Sequence, residues 1–312
     1  MSPRTVSHQR IWVLRGVAIT AMCACCAAVM AQSAEWAGSS VGLKTMNKTQ
    51  GKKIVLAAAN VKVGVSLERL SLISGEGNMD KKLLGGAMAL AANLAGLKGD
   101  FASREPIAEH LTQDDAEKIA LEATELLMAK FKAAGFEVEG PQAMIAAPFY
   151  ASSKGEAKTN ITAESQPGGL FKTGFYRGVY ETSVMGMKYR DYSGFAGLNR
   201  DTETFTKARE LASASSALEL NLALVNNKTN FVISNLGVTL WGKFDGANTE
   251  FPAYTAVLKN VADFKVASGG KDTYLYWLAL KPQVELMFDD IAKRAAAGYG
   301  EAVTASAAPA TN

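Results

Sequence analysis

The chain has 312 residues, 33 Lys and Arg against 30 Asp and Glu, and 48% hydrophobic residues. That length suffices to bury the core of one large domain or two small ones, and the apolar share excludes wholesale disorder. The small positive charge belongs entirely to the first segment. Setting residues 1–31 aside removes Arg4, Arg10 and Arg15 and leaves 30 basic against 30 acidic residues, a balance that implies no basic surface for nucleic acid.

In chain order, those three arginines form a positive region without an acidic residue, and residues 16–31 carry no charge. Small residues follow up to Ala31 and again at Ala34. This is the layout of a secretory signal peptide over residues 1–31, cut after Ala31 or, next in preference, after Ala34. The apolar run is short for a membrane-spanning helix, so a retained anchor is the lesser alternative. All three cysteines, Cys23, Cys25 and Cys26, lie in the same segment. The exported chain would therefore have no disulfide, no thiol nucleophile and no Cys-ligated metal. Lipidation at Cys25 or Cys26 would require an aliphatic residue three places upstream, where Met22 and Cys23 stand instead.

Residues 32–52 are polar and Gly- and Ser-bearing, and read as a flexible lead-in. An α/β (α+β) domain is expected over 53–295, built as a mixed, largely antiparallel sheet packed by helices. Ile54 to Leu72 is strand-like, with Val61, Val63 and Val65 alternating with Lys62 and Gly64. Residues 83–97 carry no charge and are rich in Gly and Ala. They read either as a closely packed buried helix or as a segment meeting a membrane surface or partner chain; fifteen residues are too few to span a bilayer. Leu83, Leu84, Met88, Leu90 and Leu94 are its candidate contact residues.

Thr112 and Asp115 make a variant capping box, and Ala116, Ile119, Ala123, Leu127 and Phe131 recur at three- and four-residue steps behind it. Gly135 stops this helix, and Phe136 and Val138 alternate with glutamates as a short strand. A long loop is expected over 151–200. Within it Phe171, Phe175, Tyr176 and Tyr180 form an aromatic stretch, packing on its own domain or presenting a binding surface. Asp201 or Thr202 caps a further helix. Leu218 to Leu224 and Phe231 to Leu240 alternate as a long hairpin with an irregularity near Asn235 to Gly237. Ala256 to Val266 and Tyr274 to Leu280 read as strands, Pro282 as the first turn of a final helix, and 296–312 as a disordered tail.

Catalytic signatures are sparse. His110 is the one histidine after the signal segment, and no G-x-S-x-G accompanies it. The adjacent pairs Asp114-Asp115 and Asp289-Asp290 diverge by about 100° on a helix and cannot share a substrate. Neither a cofactor nor a metal is expected.

The order of a strand near Val61, the stretch Leu127-Met128-Ala129-Lys130-Phe131-Lys132-Ala133-Ala134-Gly135-Phe136-Glu137-Val138, then a helix and a long hairpin resembles a bacterial envelope group. That group includes the curli secretion channel lipoprotein and the N-terminal domain of TolB. Its helix ends in L-x-x-x-[FL]-x-x-x-G-[FR]-x-V before a strand of a mixed sheet; here Glu139-Gly140 stands where the group has a Glu-Arg pair. The resemblance spans residues 53–140 and 202–295 and implies a periplasmic domain that binds partners and assembles without catalysis. The function expected is that of an exported, periplasmic or outer-membrane-associated envelope protein. Its partners would be other envelope proteins or itself, with possible membrane-surface contact and no nucleic acid. The alternative is a periplasmic small-ligand binder or hydrolase with a pocket walled by loop 170–195, in which Tyr176, Tyr180 and Arg177 meet a carboxylate.

Overall fold

A computed structural model describes residues 33–46, 51–67, 110–165, 176–190, 202–227, 229–244, 250–269 and 272–306. At its centre lies β2 (Lys53–Leu67), a fifteen-residue strand with a register shift between Leu56 and Ala58. The unit that begins at Glu35 opens with β1 (Trp36–Ser39) and α1 (Val41–Thr45). After β2 come α2 (Gln113–Ala133), β3 (Glu137–Glu139), α3 (Gln142–Ala146), α4 (Pro148–Ala151), β4 (Asn160–Ser165) and β5 (Tyr176–Thr182). The remainder is α5 (Thr202–Leu211), β6 (Ser216–Asn226), β7 (Asn230–Lys243), β8 (Glu250–Leu258), β9 (Lys265–Ala267) and α6 (Thr273–Ser306).

The nine strands make one mixed, largely antiparallel sheet in the order β1-β8-β7-β6-β2-β5-β4, with β3 on β2 and β9 on β7. Among the described residues β2 runs parallel to β6 and to β3, and every other pairing is antiparallel. The α/β fold class expected from the sequence is the one observed.

Strand parity separates two faces. On the first, Val61 and Val63 sit beside Leu222 and Leu224 of β6, which face Leu236 and Ile233 of β7, all buried. Ser216 shares this parity and is bonded to Tyr299 of α6, which places α2 and α6 over this face. Helix α2 forms as its pattern dictates. Thr112 accepts from the amide of Asp115 (3.1 Å), and Ile119, Ala123, Leu127 and Phe131 are buried. Gly135, with φ +89°, releases the chain into β3. On the second face Phe205 of α5 stacks on Trp241, with ring centroids 5.1 Å apart.

Several expectations are corrected. Residues 36–46 are no flexible lead-in: β1 pairs with β8, and Leu43 and Met46 are buried. The span 151–200 is not one loop, because it carries the hairpin partners β4 and β5. Tyr274–Leu280 is helical, so Pro282 stands inside α6 and not at its start. Its ring falls on the exposed side, where the carbonyl it leaves without an amide donor can meet water. Finally, α6 runs on to Ser306 and buries Tyr299 completely, so the disordered tail does not begin at 296. The expected strand at 256–266 divides into β8, a 3-10 turn (Val261–Asp263) and β9.

Candidate interaction surface

One end of the sheet gathers the features that point outward. The last residue of β2, Leu67, is the Cα partner of Tyr176, the first residue of β5, and Tyr176 also faces Ser165, the last residue of β4. Because β6 runs parallel to β2, its last residue, Asn226, lies at the same end. Here a buried polar knot ties three elements together. The His110 carbonyl accepts from the Thr273 amide (3.1 Å) and from Thr273 Oγ1 (2.6 Å). Thr273 Oγ1 accepts from Asn226 Nδ2 (3.1 Å), and Asn226 Oδ1 accepts from Ser268 Oγ (3.0 Å). Polar groups buried this deeply are tolerable only when bonded, so the knot fixes where the chain rejoins the fold ahead of α2. Leu67, His110, Ser165 and Tyr176 therefore all stand at this one end.

Helix α6 also starts there, and its first turns carry apolar side chains turned to water. Leu275 is 58% exposed and Leu278 44%; farther along, Leu286 is 51% exposed. Ala279 and Pro282 are exposed on the same side of the helix. The flanking charges are tied down elsewhere, Lys281 to Glu122 (2.9 Å) and Glu285 to Lys130 (2.6 Å). The result is an uncharged stripe, a feature that marks contact surfaces when contiguous.

The sequence-predicted contact residues fall out unevenly. Leu83, Leu84, Met88, Leu90, Leu94, Phe171 and Phe175 lie outside the described residues. Tyr176 opens β5 at the end just defined. Tyr180 is corrected: paired with Val63 and 4% exposed, it belongs to the core. Along β5, positions 176 and 180 share one strand parity and position 177 has the other.

A polar seam on the second face was not anticipated. Asn60 donates through Nδ2 to Asn221 Oδ1 (2.9 Å) and accepts from the Arg190 amide (3.0 Å). Lys62 pairs with Glu181 (3.5 Å), and Glu219, fully buried, accepts from the Trp241 indole (2.7 Å). Nearby, burial pushes the Tyr150 phenol up from its ordinary value, against the lowering influence of the Lys188 amide and the Arg190 charge. The parity of Asn60 and Lys62 with Glu219 and Asn221 could be read from the alternation of the two strands; their burial could not. Asn60, Asn221 and the Trp241 indole are answered within the fold, whereas Glu219 Oε1 is buried without a hydrogen-bond partner among the described residues. Among the described residues the seam forms no cluster of acids, histidines or cysteines able to hold a metal. Among the described residues, too, no helix is long and apolar enough to cross a membrane.

No protein-family model, no curated protein and no solved structure matches the chain.

Proposed function

We propose that this is an exported, non-enzymatic protein of the cell envelope that works through protein–protein or membrane-surface contacts in assembly or transport, using the β2–β5 end of the sheet. Its partners are other envelope proteins or further copies of itself. One observation carries the reading: the two chain segments with the strongest interaction signatures in the sequence are rooted side by side. Segment 83–97 falls in sequence between Leu67 and His110, and the aromatic stretch includes Tyr176, the ladder partner of Leu67. Leu275 and Leu278 add exposed apolar surface at the same end. The signal-peptide layout and the resemblance to the envelope group support export.

The test is deletion of residues 83–97, followed by fractionation of host cells and mass measurement of the purified chain by light scattering. The parent is expected to sediment with membranes or to assemble, and the deletion to lose that behaviour while keeping the folded core. A parent and a deletion variant that are both soluble monomers would overturn the proposal.

A further inference from the structure

Residues 35–39 are built into the edge of the sheet. Glu35 donates its amide to Asn260 Oδ1 (2.9 Å), and its carbonyl accepts from the Lys259 amide (2.8 Å). Strand β1 then runs antiparallel along β8, and the Ser39 amide donates to Thr255 Oγ1 (3.1 Å). From this edge strand the Trp36 indole reaches α6 and donates to Asp290 Oδ2 (2.7 Å).

Helix α1 follows as a plug. Leu43 is fully buried and Met46 nearly so. Close approach at two glycines makes the seat possible. A Cβ on Gly42 would lie 2.6 Å from the Ala253 Cα, and a Cβ on Gly298 would lie 2.8 Å from Leu43 Cδ1. The floor of the seat is polar and shared: Ser216 Oγ donates to Met46 Sδ (3.2 Å) and is also hydrogen-bonded to the Tyr299 hydroxyl. Tyr299 is fully buried, with the Phe136 ring edge-on at 5.1 Å.

We propose that residues 35–46 are an N-terminal latch whose seating orders the second half of α6, residues 290–299, and so couples the two ends of the chain. The contacts are mutual. Trp36 holds Asp290, Leu43 fills the space left by Gly298, and Met46 shares Ser216 with Tyr299. Coupling of this kind is reciprocal, so loosening either partner loosens the other. The first half of α6 has separate support, because Glu122 and Lys130 of α2 hold Tyr274, Trp277, Lys281 and Glu285. Release of the latch is therefore a local opening and not global unfolding. The latch begins immediately after the expected export signal. A retained signal or a partner that pulls the chain off the β8 edge would thereby also loosen the second half of α6. This inference stands apart from the contact surface proposed above.

The experiment is hydrogen exchange read by mass spectrometry on the full chain, comparing the parent with Gly42→Val and Gly298→Leu. The first variant blocks the seat from the latch side against backbone; the second blocks it from α6 against a side chain. Each is expected to speed exchange of residues 35–46 and 290–299 together, by roughly tenfold or more, while residues 119–131 and 218–240 keep parental protection. If Gly42→Val unfolds the chain, the milder Gly298→Leu decides alone. Release of 35–46 with unchanged exchange at 290–299 would overturn the proposal. So would loss of protection throughout the chain in both variants, which would make the segment part of one cooperative unit.

Discussion

The two halves of α6 lie over the same face of the sheet, yet they are held by different physics. The first half meets a neighbouring helix across a seam organised by one carboxylate. Glu122 accepts from the Tyr274 hydroxyl (2.7 Å), the Trp277 indole (2.9 Å) and Lys281 Nζ (2.9 Å), above a layer of buried Trp277, Leu280 and Val284. The second half is held chiefly by fit, with single hydrogen bonds from the Tyr254 hydroxyl to the Ile291 carbonyl (3.2 Å), from the Trp36 indole to Asp290 and between Tyr299 and Ser216. Gly298 admits Leu43, Tyr299 is buried against Phe136, and the ties to α1 and β1 come from residues more than two hundred positions away. A charged seam responds to pH and to loss of a hydrogen-bonding partner, whereas a fitted notch responds to volume. One helix can thus be anchored firmly at its start and conditionally at its end.

The largest effect is expected from Trp277→Ala. The side chain is fully buried and anchors the first half from within the core, so its removal should cost about 3–5 kcal/mol through lost transfer energy and the cavity left behind. Chemical denaturation should show the whole transition moving to lower denaturant. A loss under about 1 kcal/mol would mean that the α2–α6 layer is not the firm anchor.

Glu122→Ala ranks next, at about 1–3 kcal/mol, because three donors lose their acceptor. The same carboxylate gives the seam its pH dependence. Burial alone would raise its pKa, but the hydrogen bonds from Trp277, Tyr274 and Lys281 and the Lys281 charge outweigh burial and hold it below the ordinary 4.5. A group depressed in the folded state stabilises fully above the unfolded value, and the contribution is lost as pH falls through the folded one. Stability measured from neutral pH downward should therefore decline on acidification below about 4.5, with part of that decline absent in Glu122→Gln. Parallel pH profiles for parent and variant would remove Glu122 from the account. Tyr299→Phe, which keeps the ring and deletes only the hydroxyl shared with Ser216, should cost about 1 kcal/mol. Its exchange effect should be confined to the second half of α6, and an effect spread over both halves would erase the distinction between them.

How far this arrangement could be read from the sequence follows the same division. Helix α2 was legible because its signals are local: a capping pair three residues apart, an apolar face at helical spacing, and a glycine at the stop. The β6–β7 hairpin and its irregularity were legible by alternation; the register shift falls between Ala223 and Leu224, opposite Ser234, close to where the pattern skips. The start of α6 was misread because Tyr274–Leu280 is a short aromatic and aliphatic run whose composition favours strand, while Pro282 imitated a helix start. The periodicity that resolves it, Trp277, Leu280, Val284, Phe288, emerges only when read across the proline. The latch was missed because Trp36-Ala37-Gly38-Ser39 is too short to show a period and is ordered by β8, far away in sequence. Much the same holds for the candidate surface. The two segments could be singled out from composition, but their common root depended on pairing Leu67 with Tyr176, and Tyr180 was placed on a surface that the sheet turns into core.

The smallest effect expected is also the one that separates two roles of a single carboxylate. Arg294 bonds both oxygens of Asp290 (2.9 and 3.0 Å) one helical turn away, with its own side chain 56% exposed. Exposed pairs at this spacing contribute little, because solvent screens the attraction and ordering two flexible side chains opposes it, so Arg294→Ala should change stability by less than about 0.5 kcal/mol. Asp290 additionally accepts the Trp36 indole (2.7 Å), a charge-assisted bond that crosses from α6 to β1. Asp290→Ala should therefore cost more, about 1–2 kcal/mol, and should loosen residues 35–39 where Arg294→Ala leaves them as they were. Equal and small effects from both variants, with residues 35–39 still protected, would show that β1 is held by its ladder with β8 alone. The second half of α6 would then depend on the Leu43 notch and not on the tryptophan.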